Sequence, residues 1–558
     1  GGSVSLSAGA GGIILNGSIS GDAVVLTTPG SAFDASGAIS ATTLSGTTGN
    51  GASLTGPNNM IGTLAAFDSS AGGTFNLEDK SPLTVTGKVA VPSGSVLAIE
   101  ADTLTISGGM LSAPGGIVQL APYTTANAVA LVGNGSAPAG TLAITKDDLG
   151  GVDAAVLQIG TAAGGAIIIG DATGPAVTIP SGLVLDLVSG SGVTEIGALS
   201  VGTLEGTVGS ATLTAANNIT TLGNFFASSG GFSLTEDKTI PLLVSGPVSV
   251  PSGQTIALTA DGIALGSGGS LSAPNGSVTL ASAKPGLSLD LTTGQASAAV
   301  GTFSLGDTSP NTAAISAATL AVGAADGGGI TVTGAIALPD IGLLDLLSGG
   351  AVSETTADSL SVGTLTASVA SASLIGSNAI GTLGAITATG GFTLTDSGTL
   401  ALAGLLDAGT GSVHLNDPGG TITEKGGSIE AGFFTGSGAS AALNGANQIG
   451  TLGAFAASSG GFSLAEAPGH ALLVTGVVSV PTGQTIALTA DGIAVGPAGS
   501  LDAAGASVAL ASATPSLAVD VTTGRATASA GTFSLGDAVA DTAAIAAATL
   551  AIGATSGG

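Results

Sequence analysis

ATLTAANNITTLGNFFASSGG, residues Ala211 to Gly231, decides how the rest of the chain is read, because versions of it stand at three other places. They are ASLTGPNNMIGTLAAFDSSAGG from Ala52, ASLIGSNAIGTLGAITATGG from Ala372 and AALNGANQIGTLGAFAASSGG from Ala441. Each opens on alternating polar and apolar residues, sets an Asn two residues before an Ile, passes through a Thr-Leu pair and closes on small residues ending in Gly-Gly. A length of 558 residues would ordinarily suggest several domains. End-to-end repetition points instead to a stacked, quasi-one-dimensional body. Residues 1–558 are therefore read as one continuous β-solenoid of tandem repeats, with anchors near 52–73, 211–231, 372–391 and 441–461.

Outward from the anchors, short alternating segments follow one another: Val4 and Leu6, Val24 to Leu26, Phe75 and Leu77, Val96 to Ile99, Val118 and Leu120. Period-two alternation bounded by Gly, Ser, Asn, Asp and Pro is the pattern of strands. No stretch combines a sustained helical apolar face with caps, so essentially no helix is expected. Equivalent positions recur at steps of 23, 22 and 21 through Leu54, Leu77, Ile99 and Leu120, and of 21, 24 and 22 through Leu213, Leu234, Leu258 and Leu280. A step of 28 precedes two of the anchors, from Leu26 to Leu54 and from Leu415 to Leu443, and reads as one longer coil. The fold class is all-β, a parallel β-helix with three short strands per coil. At about 23 residues per coil the 558 residues make about 24 coils, or roughly 115 Å of stacking at ~4.8 Å per coil.

A longer period lies above the coils. Ile219 and Ile449 are 230 apart, and the same offset relates Pro251 to Pro481, Asp261 to Asp491 and Phe303 to Phe533. Under it Gly558 corresponds to Gly328, after which the earlier copy continues into Ile330 and Val332. With no polar capping repeat apparent at either terminus, the chain is expected to be a section of a longer array, or a body whose ends are covered by copies of itself.

Composition narrows the functions. Gly is 96 of 558 residues, yet 44% are hydrophobic and only 3% aromatic, which suits a narrow aliphatic core rather than disorder. Seven Lys and Arg against 35 Asp and Glu give a formal net charge of −28. So few cations cannot form a phosphate-neutralising surface, so nucleic acid and anionic membranes are excluded as partners. There is no Cys, hence no disulfide, thiolate metal site or Cys nucleophile. No apolar run reaches the ~18 residues of a membrane helix, and GGSVSLS at the start has no charged and apolar targeting pattern.

The residues that could carry chemistry read as structural. Asn59, Asn217, Asn378 and Asn447 hold the same place in the four anchors and are assigned to turns, where Asn bonds nearby backbone. The triplets ending in Glu195, Glu354 and Glu424 open the longer coil; they lie too far apart to act together and are taken as turn residues accepting backbone hydrogen bonds. Glu78-Asp79-Lys80 and Glu236-Asp237-Lys238, with Glu466-Ala467-Pro468 in the third copy, read as solvated loops. Asp147 and Asp148 are adjacent and on a strand would face opposite ways, which is poor geometry for a glycosidase pair. His414 and His470 stand alone. No catalytic, cofactor or metal residues are assigned. Asp261 and Asp491 fall in Asp-Gly turns and are read as Asx turns, with calcium bridging as a weaker reading of the acidity.

With its anchors, its T-x-E triplets and its I-G-T-L-G-A-F phrases, the chain resembles the repeat region of the filamentous haemagglutinin family, large bacterial exoproteins of two-partner-secretion or autotransporter-like type. The family's N-P-N-type secretion motif is not found here, nor is a C-terminal β-barrel. The resemblance implies a right-handed β-helix, secreted or on the surface of a Gram-negative bacterium, exported through an outer-membrane partner and concerned with attachment and biofilm. The leading expectation is a structural stalk or shaft of an adhesin and not an enzyme. The alternatives are a self-assembling extracellular fibre, matrix or surface-layer protein, whose partner is itself, and, less favoured, a polysaccharide-active β-helix enzyme.

Overall fold

The computed structural model describes residues 2–133, 137–171, 174–306, 314–536 and 544–553. It is a parallel β-solenoid, nearly all strand, with about 24 turns in total. The chain divides into two compact units, Gly1–Val278 and Thr279–Gly558, and each is built in the same way.

In the first unit one coil runs through the strands Leu83–Val85, Lys88–Ala90 and Val96–Ala101, and the next begins with Leu104–Ile106 and Met110–Ala121. Each strand lies parallel to its successor: Thr84 beside Thr105, Val89 beside Leu111, Leu97 beside Val118. Three strands per coil thus make three walls. Their side chains alternate, so that Phe75, Leu77 and Asp79 point inward while Asn76 and Glu78 are half-buried between them. In-register stacking then sets like on like in the interior, Phe75 under Leu97 under Val118. The second unit repeats this with Phe392 under Val413 under Phe434.

The coil is shorter than the sequence steps suggest, about 21 residues. The steps of 28 are not coils. Leu26 is paired with Gly46, a step of 20, whereas Leu54 is paired with Asp34, also a step of 20. Likewise Leu415 is paired with Gly436, and the strand that reaches Leu443 runs beside Ile422 and Thr423. Each step of 28 therefore jumps from one wall to another. The reason is physical: all three walls present the same alternation of small aliphatic residues, so pattern alone does not say which wall a Leu belongs to.

The shortest coils are those of the anchors. Leu204 to Leu222 and Leu365 to Leu383 are steps of 18. There the chain turns corners without leaving the strand: Ser210–Ala227 and Ser371–Ala388 are continuous 18-residue strands and Ser428–Ala457 one of 30. The ladder slips at each corner, between Leu213 and Asn217, Leu374 and Asn378, and Leu443 and Asn447.

In keeping with the expectation of essentially no helix, the described residues hold one short helical turn. Lys146–Gly150 follows an excursion in which Ala128–Leu131 pairs with Thr141–Ile144, and Leu111 finds its partner only at Val152. Thr145 caps it, and Asp148 closes the capping box while its Oδ1 accepts the Ile106 amide at 2.6 Å. Asp147 and Asp148 thus lie in a helical turn rather than on a strand. Among the described residues no helix is long and apolar enough to cross a membrane.

The interior is less uniformly aliphatic than the composition suggests, because ten of the phenylalanines are fully buried. At the anchors they pair edge to face or tilted, Phe67 with Phe75, Phe225 with Phe232 and Phe455 with Phe462, at centroid distances of 4.9, 4.4 and 4.6 Å.

Candidate functional site

A slipped ladder leaves backbone amides inside the protein without strand partners, and buried amides must be satisfied. In this chain side chains do it. Asn59, Asn217, Asn378 and Asn447 are completely buried. Each Oδ1 accepts an amide from the coil below: Ile39 at 2.7 Å, Leu199 at 2.7 Å, Leu360 at 2.7 Å and Ile429 at 2.6 Å. Each Nδ2 donates to carbonyls around the corner, such as Leu213 and Thr235 for Asn217. The last three asparagines stand inside strands, at the register break, rather than in turns; Asn59 stands just before the strand Met60–Asp68.

Acids lie above and below each asparagine. Below, Glu195 accepts the Ala215 amide at 2.7 Å and the Asn217 side chain at 3.2 Å. Glu354 accepts Gly376 at 2.7 Å and Asn378 at 2.5 Å. Glu424 accepts Gly445 and, at 3.3 Å, Asn447. Above, a second carboxylate takes the amide two residues past the asparagine: Asp79 from Ile61 at 3.0 Å, Glu236 from Ile219 at 2.7 Å, Asp396 from Ile380 at 2.7 Å and Glu466 from Ile449 at 2.8 Å. The result is four carboxylate–asparagine–carboxylate columns, each spanning three coils.

The upper acids correct the reading of that region as solvated loop, for Asp79, Glu236 and Glu466 are all buried. The register also realigns the copies. Asp79, not Glu78, matches Glu236, since each lies two residues after the paired Leu77 and Leu234. The fourth lower acid is Asp34, which pairs with Leu54 as Glu195 adjoins Leu213. Its flanking Ala32-Phe33 lacks the Val-Thr of Val193-Thr194-Glu195, so no sequence signal marked it. The lower acids belong to short coils, not to a long one.

Burial raises the pKa of Asp34, Asp79, Glu195, Glu354, Asp396 and Glu424. Among the upper acids the two aspartates differ from the two glutamates. Asp79 takes the Ile61 amide on both oxygens, at 3.0 and 3.2 Å, and the Ser81 amide on Oδ1 at 3.1 Å; Asp396 takes the Ile380 amide on Oδ1 and the Gly398 amide on Oδ2 at 3.0 Å, so both oxygens of each are engaged. Glu236 and Glu466 are one methylene longer, and their Oε1 atoms have no partner; nor have the Oε1 atoms of Glu195 and Glu424 below them. Burial, then the charges of Glu195 and Asp237, push Glu236 up to about 8, although the Ile219 amide opposes this. Burial and the Glu424 charge push Glu466 up to about 7. In the third column Asp417, completely buried with both oxygens unpartnered, is pushed up to about 6 by burial and by Asp396.

The remaining candidates do not converge on a reaction. Asp261 and Asp491 staple coils together: Asp261 accepts the Thr239 amide at 2.8 Å, and Asp491 accepts Gly469, Ser512 and Thr514. Burial acts to raise Asp491, but these hydrogen bonds outweigh it and hold the pKa at about 2. His414 meets Thr435 at 2.7 Å. On the outer wall register sets Glu78 beside Glu100 and Asp186 beside Glu205; burial raises Glu78, and burial together with the facing carboxylate raises Glu100 and Asp186. Among the described residues no group of three or more His, Asp or Glu is placed to hold a metal ion. Compared with protein-family models, curated proteins and solved structures, the chain matches none.

Proposed function

We propose that the chain is a structural shaft of a secreted bacterial surface protein of adhesin type, a spacer that holds a recognition element away from the cell. The observation that carries this reading is where the polar side chains go. In all four columns the buried Asn, and every acid except Asp34, is bonded to main-chain amides at corners, which stiffens stacking. A stack of coils held by in-register ladders and internal side-chain bonds resists bending and shear, the properties a spacer needs. Export to the surface, through an outer-membrane partner, suits a chain with no Cys and with coils that can add one at a time as it emerges.

Electron microscopy of the purified chain at low and high concentration, with and without calcium, tests this. Separate particles of constant size under all conditions are expected. Continuous filaments or ordered sheets would instead make self-assembly the function. Turnover of acidic polysaccharides, abolished by mutating one carboxylate pair such as Glu78 and Glu100, would replace both readings by an enzyme.

A further inference from the structure

The two columns built as Glu–Asn–Glu differ from the other two in one respect: both of their acids keep a buried oxygen with no hydrogen-bond partner. An ionised carboxylate in that position has lost its water and gained half of its replacement. Among the described residues no Lys or Arg is buried beside these acids. Around Glu236 the titratable groups are Glu195 on the coil below, Asp237 and the exposed Lys238 on the turn that follows, and Asp261 on the coil above. Around Glu466 they are Glu424 with the exposed Lys425 below, His470 on the following turn, and Asp491 above. The acids directly stacked on each glutamate are therefore of its own sign, and the lysines stand outside.

We propose that the Glu195–Asn217–Glu236 and Glu424–Asn447–Glu466 columns are proton-binding sites, each taking up one proton from solvent on folding, so that the solenoid is more stable in mildly acidic than in alkaline solution. The proton goes to the unpartnered Oε1 of the upper glutamate. It converts a buried anion into a neutral acid with a donor to offer, while Oε2 keeps the Ile219 or Ile449 amide. In the unfolded chain the same glutamates are solvated and release that proton at ordinary carboxylate values. Asp79 and Asp396 are the contrast within the same fold, since both oxygens of each accept amides; the contrast is between upper acids alone, because Asp34, Glu354 and Asp417 in those columns also keep unpartnered oxygens.

The test is a thermal unfolding series on the full chain between about pH 5 and about pH 8.5. The wild-type Tm should be higher by several degrees at the acid end. E236Q/E466Q, which keeps the acceptor and supplies a permanent donor, should raise Tm at the alkaline end and remove most of the slope. D417N added to it should remove the remainder. A wild-type Tm that is flat or falls on acidification overturns the proposal, as does a double variant with the wild-type slope. A Tm at alkaline pH that drops on adding a chelator would assign the columns to a cation instead. Should the variants fail to fold, the wild type decides alone: infrared spectra near neutral pH should show the carbonyl band of a protonated carboxylic acid, disappearing only on alkaline titration, and its absence refutes the assignment.

Discussion

A single buried amide does more for this fold than a leucine of the same volume would. Asn217 accepts the Leu199 amide at 2.7 Å and donates to the Leu213 and Thr235 carbonyls and to Glu195, so three successive coils meet at one side chain. Asn217→Ala leaves the Leu199 amide buried without a partner, at a cost of about 1–3 kcal/mol for each orphaned group. Asn217→Asp keeps that acceptor, but replaces the donor with a third carboxylate between Glu195 and Glu236. It is expected to destabilise more than the alanine variant above neutral pH and to lose that extra penalty in acid, which denaturant titrations of both variants at two pH values would show. The asparagines were legible in the sequence as repeated positions. Their placement was not, because an Asn that bonds a turn and an Asn that bonds a corner amide of the next coil look alike in one dimension. Asp34 and Asp396 were invisible for a second reason: the column accepts Asp or Glu, so the letter changes while the role does not.

Between elements, packing is set by size as well as register. Gly206 lies beside Phe225 on the next coil, and a Cβ there would come within 2.7 Å of the ring. Gly46 and Phe67 repeat the arrangement with the same 2.7 Å approach. In the third anchor both members change together, Ala367 facing Ile386. Gly206→Ala should therefore overpack and destabilise by about 1–3 kcal/mol. Adding Phe225→Ile should recover most of that, giving a coupling energy of at least about 1 kcal/mol in a double-mutant cycle; additive effects would mean that the pair does not pack as described. Strand identity and alternation were legible because each wall has period two. Wall assignment was not, and the step from Leu26 to Leu54 shows why: both are fully buried leucines in the same alternating pattern, but one is paired with Gly46 and the other with Asp34.

For the whole molecule the charge balance and the buried acids act on stability together. A carboxyl whose folded pKa exceeds its unfolded value binds a proton that the unfolded chain has released. Its contribution is therefore most favourable at or below the unfolded value and is lost as pH rises through the folded one. Glu236 at about 8, Glu466 at about 7 and Asp417 at about 6 place that loss between about pH 4.5 and 8. Asp491, held at about 2, works in the opposite sense: its contribution is present above the unfolded value and fades only as pH falls toward 2. Tm plotted against pH should therefore peak in the region of about pH 4 to 5, lower than for most proteins. The net charge of −28 adds mutual repulsion. Raising ionic strength from about 0.01 M to 0.15 M shortens the screening length from ~30 Å to ~8 Å, and Tm near neutral pH should rise with it.

The columns also bear on how coils find their seats. A wall of Ala, Val, Leu and Gly offers nearly the same contacts after a shift of two residues, and such walls specify register weakly. The corner asparagine does not tolerate that shift, since its Oδ1 must meet one amide below and its acid partners must meet one amide each. A misplaced coil would bury carboxylates against nothing, at a cost far above the difference between one aliphatic contact and another. The four columns are thus keyed joints: between them the stack is free to be monotonous, and at each of them it is checked.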